Sequence, residues 1–192
     1  AILAASIVYI LSRWNSAVAA WLLRIGWVTA CLAVIPVALA LHRGNLHNAP
    51  WLQRTAQHRV VIWNNAAEHA LKAPIAGVGA GMMYRLNEEG AMRAPTQEPL
   101  PANAPHAHNV FLQTWFELGA IGAALLALLG LGVIEGIRHV ASPSQPYGHA
   151  TLAAAMCLMA ASYGMWQAWF LAMFAMAAIC YRLAVGVNVR AS

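Results

Sequence analysis

From Val110 to Ile137 the chain runs for 28 residues with two charges, Glu117 and Glu135, one towards each end. A helix of that length reaches about 42 Å, more than the ~30 Å hydrocarbon core of a bilayer. Such a segment cannot sit on a protein surface in water, and the rest of the chain offers little to cover it. Only 9% of the 192 residues are charged and 61% are hydrophobic, whereas soluble domains carry about 25% charged residues. These features predict an all-α polytopic membrane helix bundle.

Further apolar runs occupy about 17–41, 148–166 and 168–187, giving four full spans with 110–137. The opening AILAASIVYILS (1–12) is too short to cross and lacks a basic flank, so it reads as the tail of a truncated span in a fragment of a larger protein. Between the first two spans lies a large polar segment, 42–108. Arg13, Arg138, Arg182 and Arg190 fall on one side if the spans alternate. The positive-inside rule makes that side cytoplasmic and sends 42–108 outward. A loop this long largely escapes the rule, so its arginines are free to be functional. Arg24, inside a span near its cytoplasmic end, is expected to snorkel.

Within the loop, 51–72 has helical periodicity, with Trp51, Leu52, Val60, Trp63, Ala67 and Leu71 compatible with one apolar side. That amphipathic helix should lie along the membrane surface and stop at Pro74. The proline-rich run 85–105 reads as a flexible polar stretch. Basic residues dominate 42–85 (Arg43, Arg54, Arg59, Lys72 and Arg85 against Glu68), so this part should attract anions.

The charged residues are ten arginines, one lysine and six glutamates, with no aspartate. Guanidinium grips phosphate in a two-pronged fork, while the lack of aspartate makes carboxylate cages for magnesium or calcium hard to build. Cys31, Cys157 and Cys180 lie in apolar runs and read as small hydrophobic fillers.

The stretch PHAHN (105–109) precedes the long span. Asn109 or His108 suits the N-cap of that helix, whose free amides favour an anion. Asn109, Gln113 and Glu117, spaced by four, form one polar stripe, and Glu117 could pair with a loop arginine. Imidazole with its ordinary pKa of about 6.5 can take a proton from a hydroxyl near neutral pH; an interfacial histidine bonded to loop carbonyls is the plainer alternative. His106 and His108 could also hold a metal with His42, His47, His58 or His69, but the spacings match no familiar zinc pattern. Gly77–Gly81 (GVGAG) follows a helix rather than a strand, which argues against a nucleotide loop. Arg59 and Trp63 are one helical turn apart and can share a cavity.

Taken in order, R-x-x-x-W (Arg59, Trp63), P-x-x-G-x-G (Pro74, Gly77, Gly79), H-N-x-x-L-Q with E-x-G-x-x-G (His108, Asn109, Leu112, Gln113; Glu117, Gly119, Gly122) and SYGMWQAWFL (162–171) resemble the O-antigen ligase/polymerase superfamily. The resemblance covers about 15–187. It implies a multi-pass glycosyltransferase of the GT-C type in the bacterial inner membrane, with loop 42–108 periplasmic, no metal, no cofactor and no nucleic-acid partner. Its donor would be an undecaprenyl-diphosphate-linked glycan and its acceptor a hydroxyl, such as one on lipid A–core. Carried over by position, the transfer residues are His108 and Arg59, with Arg43 or Arg54 as a second diphosphate contact and Asn109, Trp63 and Glu117 beside the substrate. An O-antigen polymerase or a protein O-oligosaccharyltransferase would share this pattern. A transporter or channel is the alternative from another class, for which polar or broken midmembrane helices would be expected.

Overall fold

The computed structural model describes residues 1–89, 104–161 and 163–191, with side chains as far as 186. Its helices are α1 (Ile2–Trp14), α2 (Ser16–Arg43), α3 (Arg54–Ala70), α4 (Met82–Glu88), α5 (Val110–Arg138), α6 (Gln145–Ala161) and α7 (Ala168–Ala191), and no strand occurs among the described residues. Three helices are long and apolar enough to cross a bilayer: α2, α5 and residues 168–186 of α7. The expected span 148–166 becomes the 17-residue α6, ending at Ala161 because the chain turns at 163–167. The expected severed span is the 13-residue α1.

Asn15 separates α1 from α2. Its backbone is extended, and its side-chain oxygen accepts from the Val18 amide at 3.0 Å, capping α2. α2 then crosses α5 at close range: a Cβ on Gly130 would lie 1.9 Å from the Trp27 ring. The Trp27 indole donates to the Leu126 carbonyl at 3.0 Å, and Trp115 donates back to the Cys31 carbonyl at 2.6 Å. Small residues at a helix crossing, with indole bonds across it, suit a bilayer in which apolar burial alone gives little drive for association.

One end of the bundle gathers Ser12 and His149, hydrogen-bonded at 2.9 Å, and the carboxylate of Glu135. Arg24 does not simply snorkel. It crosses from α2 to bond Glu135 on α5 at 2.5 Å, and Arg138 reaches the same carboxylate at 3.0 Å. One carboxylate thus serves two guanidinium groups at the rim of the bundle, with Arg138 and Glu135 about half exposed.

The opposite end is built by the polar segment. α3 is shorter than the expected 51–72 helix and packs against α2 and α5. Its buried face carries Val60, Ile62, Ala66, Ala67 and Ala70, with the polar Asn64 and Asn65. Trp51 and Leu71, assigned to the apolar side, are 76% and 54% exposed, because both lie outside the helix that packs. Residues 82–88, overlapping the expected flexible stretch, are helical, and 90–103 lie outside the described residues.

The largest departure from expectation is inside α5, read from sequence as one straight span. At Gly119 the backbone leaves the helix (φ 62°, ψ −156°). Four backbone groups around the break are taken by a strap at 74–79. Val78 and Gly79 amides donate to the Phe116 and Glu117 carbonyls at 3.0 and 2.9 Å, while the Ala120 and Ile121 amides donate to Pro74 and Ile75 carbonyls at 2.8 and 3.2 Å. A broken helix in lipid survives only if its backbone finds such partners. The two glycine motifs are thus halves of one joint. A Cβ on Gly119 would sit 2.4 Å from the Ile75 oxygen, and one on Gly77 would sit 2.3 Å from the Glu117 carbonyl carbon, each at positive φ.

Gly119→Ala and Gly77→Ala should therefore each destabilise the fold by more than about 2 kcal/mol, strain and clash acting together. Gly132→Ala and Gly136→Ala, where a Cβ meets nothing within 4 Å, should be neutral or slightly stabilising. Thermal unfolding in detergent checks both; equal melting of all four variants would contradict the joint.

Candidate active site

Asn109 caps α5. Its backbone is extended, and its Oδ1 accepts from the Leu112 amide at 3.1 Å. Immediately before it, His108 adopts a left-handed backbone (φ 53°), uncommon for a residue with a Cβ and most frequent at functional positions. The 104–109 segment packs on α3. There the Trp63 indole donates to the Ala107 carbonyl at 2.8 Å. Ala104, Ala107, Ile62, Ala66, Leu112 and Phe116 close a common core beneath it.

That single bond brings the two expected transfer residues to one region. Arg59 stands one helical turn before Trp63, and His108 follows Ala107 directly. Arg59 and His108 are both partly exposed, as substrate contact requires. Arg43, at the end of α2, and Arg54, at the start of α3, are exposed at the same end of the bundle. No acid among the described residues pairs with Arg43, Arg54 or Arg59, so the local field is positive and suited to an anion.

The rest of the polar stripe faces inward. Gln113 and Glu117 are 3% and 0% exposed. The Glu117 carboxylate accepts from the Gly81 amide at 3.0 Å, the Met83 amide at 3.4 Å, the Gln113 amide group at 3.1 Å and the Trp166 indole. The expected arginine partner is absent among the described residues; backbone amides and the indole occupy the carboxylate instead. Gln113 bridges onward, its oxygen accepting from the Met165 amide at 3.2 Å. The stripe therefore sockets the 163–167 turn against α5, a role visible only once the 81–83 and 163–167 segments are in place.

His106, read from the sequence only as a possible metal ligand, packs beside His108. Its ring centroid lies 4.2 Å from that of His108. On its other side a Cβ at Gly164 would come within 2.9 Å of its Cβ, so the turn between α6 and α7 closes directly onto it. The signal was present as the glycine within SYGMWQ, without anything to say what it met. Burial, and secondly the neighbouring His108, push the His106 pKa down to about 4. Its Nε2 is buried with no hydrogen-bond partner among the described residues. Three other loop histidines are engaged elsewhere: His42 stacks on His47 at 4.2 Å, and His69 Nδ1 bonds the Asn65 carbonyl at 2.8 Å. Beside Asn109 an apolar groove of about 430 Å³ begins at Val110, Met165 and Trp166. It runs between α5, α6 and α7 to Gly148 and Tyr181.

A histidine whose pKa is lower folded than unfolded opposes folding once the unfolded form is protonated. Stability from this site should be complete above about pH 6.5 and fall as pH drops towards 4. His106→Phe should flatten that window in thermal unfolding between pH 7 and 4.5; superimposable profiles for the two proteins would contradict the assignment.

Residues 1–127 match the family model for O-antigen ligase. Over 171 residues, 86% of the chain, the sequence is 29% identical to a protein of Rickettsia prowazekii. It is 28% identical to one of Rickettsia typhi over the same length. Both relatives are named as candidate polysaccharide ligases. The match covers 42% of each of them, so the chain spans about two fifths of the length of these curated relatives. No solved structure matches significantly. With its family model covering residues 1–127 of 192, a mainly helical fold and three helices long and apolar enough to cross a membrane, the chain belongs to the O-antigen ligase family of polysaccharide ligases.

Proposed function

We propose that this chain carries the transfer site of a GT-C type glycosyltransferase that moves a glycan from undecaprenyl diphosphate to an acceptor hydroxyl, as in ligation of O-antigen to lipid A–core. In this reading the enzyme is multi-pass in the bacterial inner membrane, and 42–108 faces the periplasm. Arg13, Arg138 and Arg182 sit at the end of the bundle away from that loop, which supports the orientation.

His108 takes the proton of the acceptor hydroxyl as its oxygen attacks the anomeric carbon of the donor's first sugar. A glycosidic C–O bond forms, the C–O bond to diphosphate breaks, and undecaprenyl diphosphate leaves with the bonding pair. Arg59, with Arg43 or Arg54, holds the charge that grows on the leaving diphosphate, helped by the α5 N-terminus at Asn109. Diphosphate is a good leaving group, so electrostatics and one base suffice without metal or cofactor. The groove that starts at Val110 supports a lipid-linked donor, since its walls are apolar along the depth of the bundle. Glu117 serves this site from below, by holding the joint and the 163–167 turn.

The observation that carries the reading is the Trp63–Ala107 hydrogen bond, which ties the arginine turn of α3 to the histidine segment. The transporter alternative loses support at the same place. Pro74–Gly79 covers the break in α5, so the carbonyls of Phe116 and Glu117 are already occupied instead of facing an ion path.

In cells lacking the wild-type enzyme, His108→Ala and Arg59→Ala should lower glycan transfer by about 10²-fold or more while the protein still inserts. Near-normal transfer by either variant removes that residue from the mechanism. Trp63→Phe keeps the ring but not the donor, and should lose about tenfold or more through misplacement of the two groups. Unchanged activity in that variant would separate the bond from function.

A further inference from the structure

Two imidazoles share one face of the site, and only one has work in the mechanism above. His106 packs on His108 with centroids 4.2 Å apart and planes 47° to each other. Three features set it apart from a histidine that merely fills space. Its Nε2 is buried and meets no hydrogen-bond partner among the described residues, and an orphaned polar nitrogen in a folded protein needs an explanation. The 163–164 backbone comes so close that only glycine fits at 164, so the ring has little freedom to seek a partner elsewhere. The 46%-exposed Tyr163 ring lies nearly parallel to it (19°) at 6.4 Å, adding an apolar face at the edge of the pair.

The chemistry that fits is a hydroxyl. Burial keeps His106 neutral at physiological pH, so the ring offers one donor and one acceptor nitrogen and no charge. A charged phosphate would seek the arginines instead. We propose that His106 is a second hydroxyl-binding residue, so that His106 and His108 grip two neighbouring hydroxyls of one sugar ring in the acceptor. His108 deprotonates the hydroxyl that attacks; His106 bonds its neighbour and fixes the ring's orientation, with Tyr163 flanking the C–H face. A serine or threonine side chain offers no second hydroxyl, so the pair selects a saccharide acceptor. This inference rests on the reading of His108 as the base.

The test uses the purified full-length protein with undecaprenyl-diphosphate-linked glycan as donor and lipid A–core as acceptor, measuring KM for each separately. His106→Phe should raise the acceptor KM roughly five- to tenfold, the worth of one hydrogen bond to a neutral group, with the donor KM unchanged. His106→Gln, which restores a neutral hydrogen-bonding group, should recover most of the loss. Gly164→Ala, which pushes the His106 ring aside, should raise the acceptor KM in the same direction. An unchanged acceptor KM in His106→Phe, or an equal rise in both constants, overturns the proposal while leaving the transferase reading intact. A wild type that transfers no glycan to this acceptor overturns the transferase reading, and the role of His106 with it.

Discussion

A helix in lipid cannot break without finding partners for the backbone groups it releases, and this constraint organises the half of the bundle that carries the polar segment. The break at Gly119 is closed by the 74–79 strap through four main-chain hydrogen bonds. Main-chain pairing fixes the strap's position without regard to side chains, and that position fixes what precedes and follows it. α3 ends where the strap begins, so its arginine turn is held at a set distance from the α5 N-terminus. The GVGAG segment then delivers the Gly81 and Met83 amides to the buried Glu117 carboxylate. That carboxylate also accepts from Trp166, so the same joint seats the turn leading into α7.

The candidate site is thus assembled from three stretches distant in sequence. α3 supplies Arg59 and Trp63, the 104–109 segment supplies His106 and His108, and the 163–167 turn closes the back. Each contact is short-range: an indole on a carbonyl, a ring on a ring, a glycine under a histidine. Each presupposes the joint beneath. The division of labour follows from exposure. The arginines and the two histidines are exposed or partly exposed, while the fully buried polar groups, Gln113 and Glu117, are consumed by internal hydrogen bonds.

Much of this was legible in the sequence because the bilayer imposes simple rules. Apolar length located α2 and α5 within a residue or two, and the spacing of Asn109, Gln113 and Glu117 set one polar face. What could not be read were pairings between distant segments. Gly119 sits in a small-residue run that reads equally well as a smooth helix face, and only the strap some 40 positions earlier makes it a break. Arg24 looked like a lone snorkelling residue because Glu135, its partner, is 111 positions away. The exposure of Trp51 and the burial of Asn64 and Asn65 reflect packing against α2 and α5, which outweighs the local pattern of apolar residues. His106 was read only as a possible metal ligand for the same reason: Tyr163 and Gly164, which pack on it, come from the distant α6–α7 turn.

The central claim is that Arg59 and His108 converge on one diphosphate-linked substrate. A structure of the full-length protein with undecaprenyl diphosphate bound tests it most directly. The account predicts the Arg59 guanidinium on a diphosphate oxygen and the His108 ring on the side of the anomeric position, with the Trp63–Ala107 bond intact. A diphosphate bound out of reach of either residue, or the two residues at opposite faces of the membrane, would contradict it.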